Sequence, residues 1–296
     1  MNSTKTTGTI LQDDDNFRLE KIDWQGRPAI KKSAKETTPP SRAARIKNDV
    51  DGMRFFARLA VNNPELGIYI PKVYASGPNF YIREYIESDP LLKKTTTFDE
   101  ARGRLDKLSQ LLADIDRIEP GREIGYVGSS NHRNLGQSIS RWADENIHDK
   151  LMTKDQAEHV KSISKGLGKY LQPRIAHGDM SAYKHSYLRP NGEIALIDFE
   201  NFTSGAAQYF DVAWAYTRLY GFATSVDMPK YFLSSFIGKA APTEHQPEKL
   251  MAVLIQRTLG MQKDADGDAK KGTDYRNRAA QLLEIILQNK LELLHS

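Results

Sequence analysis

Apolar and charged residues alternate from Phe17 to Asp23 (FRLEKID), the period of a half-buried strand. Gln25-Gly26-Arg27 reads as a turn. Pro28 to Ser33 reads as a second strand with proline at its first position, where a missing N–H is tolerated. Together they predict a hairpin, with a further strand over Gly8 to Leu11. Thr37 to Ser41 is a loop, and Ser41 is a candidate helix cap. From Arg42 to Ala60, the residues Ile46, Val50, Met53, Phe56 and Leu59 recur every three or four positions, as on an amphipathic helix. Strands are expected near Lys72 to Ser76 and Asn79 to Ile86, parted by Gly77-Pro78.

Beyond that point the pattern turns helical. Phe98 to Ile118 carries Leu105, Leu108, Leu111, Leu112 and Ile115 at helical spacing. Further helices are expected over Ser138 to Asn146, Lys154 to Tyr170, Ala206 to Tyr220, Pro229 to Gly238, Glu248 to Gln262 and Tyr275 to Leu294. The exception is a small hairpin, Ser186 to Arg189 with Glu193 to Phe199, about Asn191-Gly192. No internal repeat or low-complexity segment is visible. The expected architecture is α+β. A small strand-rich lobe with one main helix covers 1–86, a connector lies near Glu84 to Asp89, and a larger, mostly helical lobe covers 87–296.

Composition narrows the function classes. With 39% hydrophobic and 27% charged residues in 296, the chain can bury a substantial core. The 42 basic and 38 acidic residues are interspersed, so a net charge of +4 and a pI of about 9.0 give no block that argues for nucleic acid. With no cysteine, disulfides, thiolate zinc sites and cysteine nucleophiles are excluded. The N-terminal stretch lacks an apolar signal core, and no run reaches the length of a bilayer. The expectation is a soluble, cytoplasmic protein with no membrane or nucleic-acid partner; the oligomeric state is not readable.

Two aspartates mark the candidate chemistry. Asp179 follows His177-Gly178, and Asp198 ends the return strand of the hairpin after Ala195-Leu196-Ile197. The fold-back allows the carboxylates to approach, and they would repel unless a cation or proton sits with them. A divalent cation is one solution, because Mg2+ takes carboxylate oxygens together with substrate phosphates. The remaining carboxylate can accept a proton from an alcohol.

His177-Gly178-Asp179, Ile197-Asp198-Phe199, Gly205 and Asp211-Val212-Ala213 together resemble the aminoglycoside phosphotransferase family, whose fold is similar to that of protein kinases. The resemblance runs in register over about Phe17 to Tyr220 and more loosely beyond. It implies a two-lobed, kinase-like fold and transfer of the γ-phosphate of ATP, with Mg2+, to a hydroxyl of a small molecule. Asp179 would be the catalytic base, Asp198 the Mg2+ ligand, and Asp211 a brace of the catalytic loop. Ala29-Ile30-Lys31 is similar to the strand bearing the phosphate-binding lysine, with Ala29 making room for adenine and Lys31 reaching the phosphates. Ala29 and Lys31 share one face, and Lys32 is expected on the other, in solvent. On the helix that follows, Asp49 is the expected partner of Lys31, with Asp51 at the surface. The connector resembles the family's hinge, where backbone groups of Glu84, Tyr85 and Ile86 would read adenine.

The chain departs from the family pattern in two places. Lys184 stands where the family has a metal-binding asparagine, and an ammonium has no lone pair. It touches the phosphates itself, or the loop shifts and offers His185, or activity is impaired; we take the first. The candidate phosphate loop, Gln12 to Asn16, has three aspartates, read as solvated, where glycines are wanted. These departures motivate the alternative of a catalytically weak, kinase-like nucleotide-binding or regulatory protein. A protein kinase fits less well, because no activation segment ending in Ala-Pro-Glu is recognisable. The acceptor implied is an aminoglycoside-like antibiotic, a sugar or an amino alcohol. A polycation calls for an acidic pocket, to which Asp144, Glu145 and Asp211 could contribute. Asp264 to Asp268 has the wrong glycine position for a calcium loop and is expected as a surface loop. His132 lacks a partner at metal-ligand spacing.

Overall fold

The computed structural model describes residues 8–119, 132–267, 272–288 and 290–295. Strands β1 (Thr9–Asp13), β2 (Phe17–Trp24) and β3 (Arg27–Ala34) are followed by helix α1 (Pro40–Asn62). Next come β4 (Ile68–Tyr69), β5 (Val73–Gly77), β6 (Phe80–Glu84) and β7 (Asp89–Pro90). Helices α2 (Phe98–Arg117), α3 (Leu135–His148) and α4 (Lys154–Ser164) precede β8 (Pro173–Ala176), β9 (Ser186–Leu188), β10 (Ile194–Leu196) and β11 (Thr203–Ala207). The chain ends with α5 (Phe210–Phe222), α6 (Asp227–Lys239), α7 (Gln246–Gly267), α8 (Gly272–Leu287) and α9 (Glu292–His295). None of these helices is long and apolar enough to cross a membrane.

The chain divides into two compact units, residues 1–90 with 185–202, and residues 91–184 with 203–296. The first boundary falls four residues beyond the expected one, and the β9–β10 hairpin belongs to the strand-rich unit. The pairing of β10 with β4 in parallel and with β9 in antiparallel explains this membership. Packing on α1 reinforces it. The ring of Phe199 lies 4.9 Å from that of Phe56, and Phe202 lies 4.9 Å from Phe55. Gly52 permits the approach, because a Cβ there would meet Phe199 at 2.5 Å. The main sheet of this unit has the order β1-β2-β3-β6-β5. Helix α1 starts after Pro39 with Pro40 in its first turn and has no side-chain cap, so Ser41 does not take the capping position.

In the second unit, Thr97 and Glu100 form a reciprocal capping box that starts α2, and Thr153 and Gln156 do the same for α4. Three expected helices are cut short. The stretch from Lys154 breaks after Ser164, where Gly166 takes a φ of 83° and only a short 3-10 turn follows. The stretch from Ala206 is first a strand, because β11 pairs with β8, and helix begins only at Phe210. The stretch from Tyr275 ends at Leu287, and Leu294 belongs to α9. Asp264 to Gly267 continue α7 rather than forming a surface loop. Asp268 and Ser129 to Asn131 lie outside the described residues, as does the side chain of His132.

Candidate active site

The strand-rich unit gathers its charges around one lysine, and that lysine is Lys32. Its Nζ lies 3.0 Å from Asp49 Oδ2, 2.7 Å from Asp198 Oδ1 and 3.4 Å from Glu200 Oε2. This corrects the expectation that Lys31 faces the carboxylates and Lys32 faces solvent. The β3–β6 register sets Ile30 opposite Arg83 and Lys32 opposite Tyr81, so these four share the face toward α1. Ala29 instead packs with Ile22 and Ile82 on the other face, beside Trp24 and Phe80. Lys31, opposite Ile82, shares that second face and is only half-buried. Side chains alternate along β3, so a shift of one residue exchanges the faces, and the lysine that meets α1 is Lys32.

Asp49 does pair with a β3 lysine, from within the buried stripe of α1. It is fully buried and accepts from Lys32 Nζ, from Tyr81 Oη at 2.8 Å and from the Phe199 N–H at 2.8 Å. Burial works against the Lys32 ammonium, but Asp49, Tyr81, Asp198 and Glu200 outweigh it and hold its pKa well above the usual lysine range. Burial, with Asp49 adding to it, pushes the Tyr81 phenol far up, so the phenol stays a donor.

Asp198 adopts a left-handed backbone, φ 67°, a region that aspartate tolerates better than most residues. Its Oδ2 lies 3.3 Å from His185 Nε2. Glu200, which sequence reasoning missed, is held by Arg45 NH1 at 2.8 Å, and its carbonyl accepts from Asn48 at 2.7 Å. The one available signal was its position two residues after Asp198. Asp198 and Glu200 thus present hard oxygen donors around one cation. No group of three or more Asp, Glu or His side chains among the described residues could hold a metal by itself.

The other site residues are placed as follows. The N–H groups of Glu84 and Tyr85 donate to the carbonyls of Lys72 and Pro28, at 2.9 and 3.3 Å, so these two donors are taken up by the strand-rich unit itself. The Glu84 carbonyl accepts from Arg83 NH1 at 2.9 Å. Ile86 follows β6 and is half-buried. Lys184 is exposed. In the β1–β2 loop, Asp13 pairs with Arg18 and Lys35, and Asp14 accepts from the N–H groups of Asn16 and Phe17, so two of the three aspartates are spent locally.

In the helical unit, β8 ends at Ala176 and leads into the His177-Gly178-Asp179 turn, with Gly178 at φ 86°. Asp211, in the first turn of α5, accepts from the N–H groups of His177 at 2.7 Å and Gly178 at 2.9 Å. A buried carboxylate therefore fixes the turn that carries Asp179. Burial pushes the Asp211 carboxyl up to about 7, against the two N–H bonds and with help from the nearby Asp179 charge. The folded state then holds this proton more tightly than the unfolded chain. Its contribution to stability is fullest at low pH and is lost as pH rises from about 4 through about 7. Relative to wild type, Asp211→Asn is expected to gain stability across that window, measured by urea denaturation at pH 5 and pH 8. An unchanged difference would refute the assignment.

The three acidic candidates for a polycation pocket are all engaged. Asp144 pairs with Lys161 at 2.7 Å, Glu145 lies 3.6 Å from both Arg141 and Lys263, and Asp211 holds the turn.

Residues 13–245 match the phosphotransferase enzyme family. The chain belongs to that family. Solved structures similar to this family member include a thermostable mutant of aminoglycoside phosphotransferase APH(4)-Ia in ternary complex with AMP-PNP and hygromycin B. It is 13% identical, with 97% of this chain and 96% of that chain covered, at a TM-score of 0.66. A Plasmodium vivax ethanolamine kinase is 12% identical, covering 97% and 83%, at 0.56. A choline kinase from Cryptosporidium parvum is 14% identical, covering 99% and 91%, at 0.57. The fold is the kinase-like α+β fold. No curated protein matches the sequence.

Proposed function

We propose that this phosphotransferase moves the γ-phosphate of ATP to a hydroxyl of a small molecule. The observation that carries the reading is the buried Lys32, clamped by Asp49 and held against Asp198 and Glu200 in a chain of this family. Lys32 presents a fixed positive charge of the kind that kinases aim at triphosphate oxygens. Asp198 and Glu200 suit Mg2+, which takes one or two carboxylates and completes its shell with phosphates and water. When bound, the ion neutralises charge on the phosphates. Asp179 receives the hydroxyl proton of the acceptor. The acceptor oxygen bonds to the γ-phosphorus as the β–γ bridging bond breaks, and ADP leaves. Similar structures with AMP-PNP and with ATP support the donor.

Thermal unfolding with ATP, with and without Mg2+, tests the nucleotide part. A Mg2+-dependent rise in Tm is expected. No shift under any condition would favour the alternative, a kinase-like regulatory protein. Asp198→Asn keeps the left-handed backbone that asparagine also tolerates. It is expected to lower transfer about 100-fold or more while the protein stays folded. Undiminished ATP turnover in this variant would remove Asp198 from the mechanism.

A further inference from the structure

Beyond the His177-Gly178-Asp179 turn, the helical unit assembles a group of side chains that no step above uses. Asp211, Trp214 and Arg218 are spaced three and four residues apart on α5, so they run along one face from the turn that Asp211 holds. Trp214 packs against Ala176, Ala206 and Phe210, directly at the strand end that leads into His177. The guanidinium carbon of Arg257, from α7, stands 3.5 Å from the centre of the Trp214 ring and 5.5 Å from that of Trp142. The Arg218 carbon lies 5.2 Å from the same Trp214 ring. Two cations therefore share one indole.

The packing around them is specific. At Gly260 a Cβ would meet Trp142 at 2.6 Å, and at Gly221 it would meet Tyr275 at 2.2 Å. Glycine at these two helical positions lets both aromatic rings close on the arginines. Arg218 has its own partners, Asp264 at 3.2 Å and the Tyr275 hydroxyl at 3.4 Å. Arg257 is 4% exposed and forms no ion pair among the described residues. Its Nε and the indole Nε1 of Trp214 are buried donors without an acceptor. Burial, with Arg218 adding to it, draws the Arg257 pKa down to about 10, against the opposing pull of Asp264 and Asp179. A buried cation with unfilled donors is costly unless an anion meets it. Trp214, on which both guanidiniums stand, packs against Ala176, the last residue of β8, three positions before the proposed base Asp179.

We propose that Arg257 and Arg218, stacked on Trp214, bind an oxyanion carried by the acceptor, so that the substrate is a small hydroxylated carboxylate or phosphate ester rather than a polycation. The inference rests on the phosphotransferase reading for its chemistry. Asp179 takes the hydroxyl proton, the hydroxyl oxygen bonds to the γ-phosphorus, ADP departs, and the product carries a new phosphate beside its original anion. Arginine suits this task because its planar fork pairs with carboxylate and phosphate in two parallel hydrogen bonds.

The test uses the full chain and tryptophan fluorescence, with ADP release measured alongside. D-glycerate and glycerol 3-phosphate are the anionic probes, glycerol the neutral one, and choline and ethanolamine the cationic ones. Saturable quenching by at least one anionic probe is expected, and the two arms separate carboxylate from phosphate. Arg257→Gln should weaken that binding about tenfold or more, with the loss in KM rather than kcat. Arg257→Lys keeps the charge but lacks the fork, and should fall between. If the glutamine variant does not fold, the lysine variant decides. The ATP-dependent Tm shift should be the same in every folded variant. Binding of choline or ethanolamine in preference to both anions, no binding of either anion, or undiminished anion binding in the variants would overturn the proposal. A missing ATP shift in the wild type would instead count against the phosphotransferase reading, and the fluorescence titration would still decide the anion site.

Discussion

Lys32→Met is expected to destabilise the strand-rich unit by about 3–5 kcal/mol, whereas Lys31→Met, one residue away, costs less than about 1 kcal/mol. The contrast follows from what each ammonium leaves behind. Removing Lys32 strands Asp49 at zero exposure, with the Tyr81 hydroxyl and the Phe199 N–H as its remaining donors. Neither donor carries a charge, and an uncompensated buried carboxylate is the costly outcome. Asp198 and Glu200 would lose their shared cation as well. Removing Lys31 strands nothing comparable, since its cross-strand neighbours are Glu20 and Ile82 on a half-buried face. Urea denaturation of both variants measures the difference. A double change, Lys32→Met with Asp49→Asn, should recover part of the loss, because the amide removes the uncompensated charge while its oxygen still offers an acceptor to the buried donors. Equal destabilisation by the two single changes would contradict the face assignment.

The same pair of lysines shows what the sequence could and could not disclose. Alternation in Phe17 to Asp23, and the run Ile46, Val50, Met53, Phe56, Leu59, was enough to find β2 and α1, and β3 followed from the turn at Gln25-Gly26-Arg27 that starts the hairpin. Alternation does not say which face of β3 meets α1. Ala29 and Ile30 are both buried, so hydrophobicity could not break the tie. The tie is broken by pairing with β6, a contact between residues about fifty positions apart, and by Asp49 lying in the α1 stripe between Ile46 and Met53. An aspartate on a buried stripe requires a cation opposite, and that reasoning selects Lys32 once the register is known. β8 and β11 escaped notice for a related reason. Each is four or five residues long, with no alternation, and exists through its partner. The His177-Gly178-Asp179 turn was legible through its resemblance, together with Ile197-Asp198-Phe199 and Asp211-Val212-Ala213, to the family's motifs, and the structure supplies the physical reason for two of them, a glycine at φ 86° and an Asp211 that accepts from its N–H. The arginine pair on Trp214 had no such signature, since Arg218 and Arg257 lie on separate helices about forty positions apart.

Asp179→Asn is expected to reduce phosphoryl transfer by about 10²–10⁴-fold while leaving the ATP-dependent Tm shift and the fold in place. The amide keeps the size and most hydrogen bonds of the carboxylate but cannot take the acceptor proton. The turn is held by Asp211 through the N–H groups of His177 and Gly178, and the Asp179 N–H faces His177 Nδ1 at 3.3 Å. A base that acts only as the acceptor oxygen attacks should lower kcat and kcat/KM together, with KM for ATP unchanged. Asp211→Asn offers the comparison, because Asp211 positions the turn without touching the substrate. Its loss should weaken transfer less than the loss of Asp179, and it alone should remove the pH-dependent stability difference between pH 5 and pH 8. If Asp179→Asn turns over at the wild-type rate on the acceptor that the wild type uses, proton removal does not run through this residue. In that case the half-buried carboxylate at the end of β8 is a structural feature of the turn, and the base must be sought elsewhere in the chain.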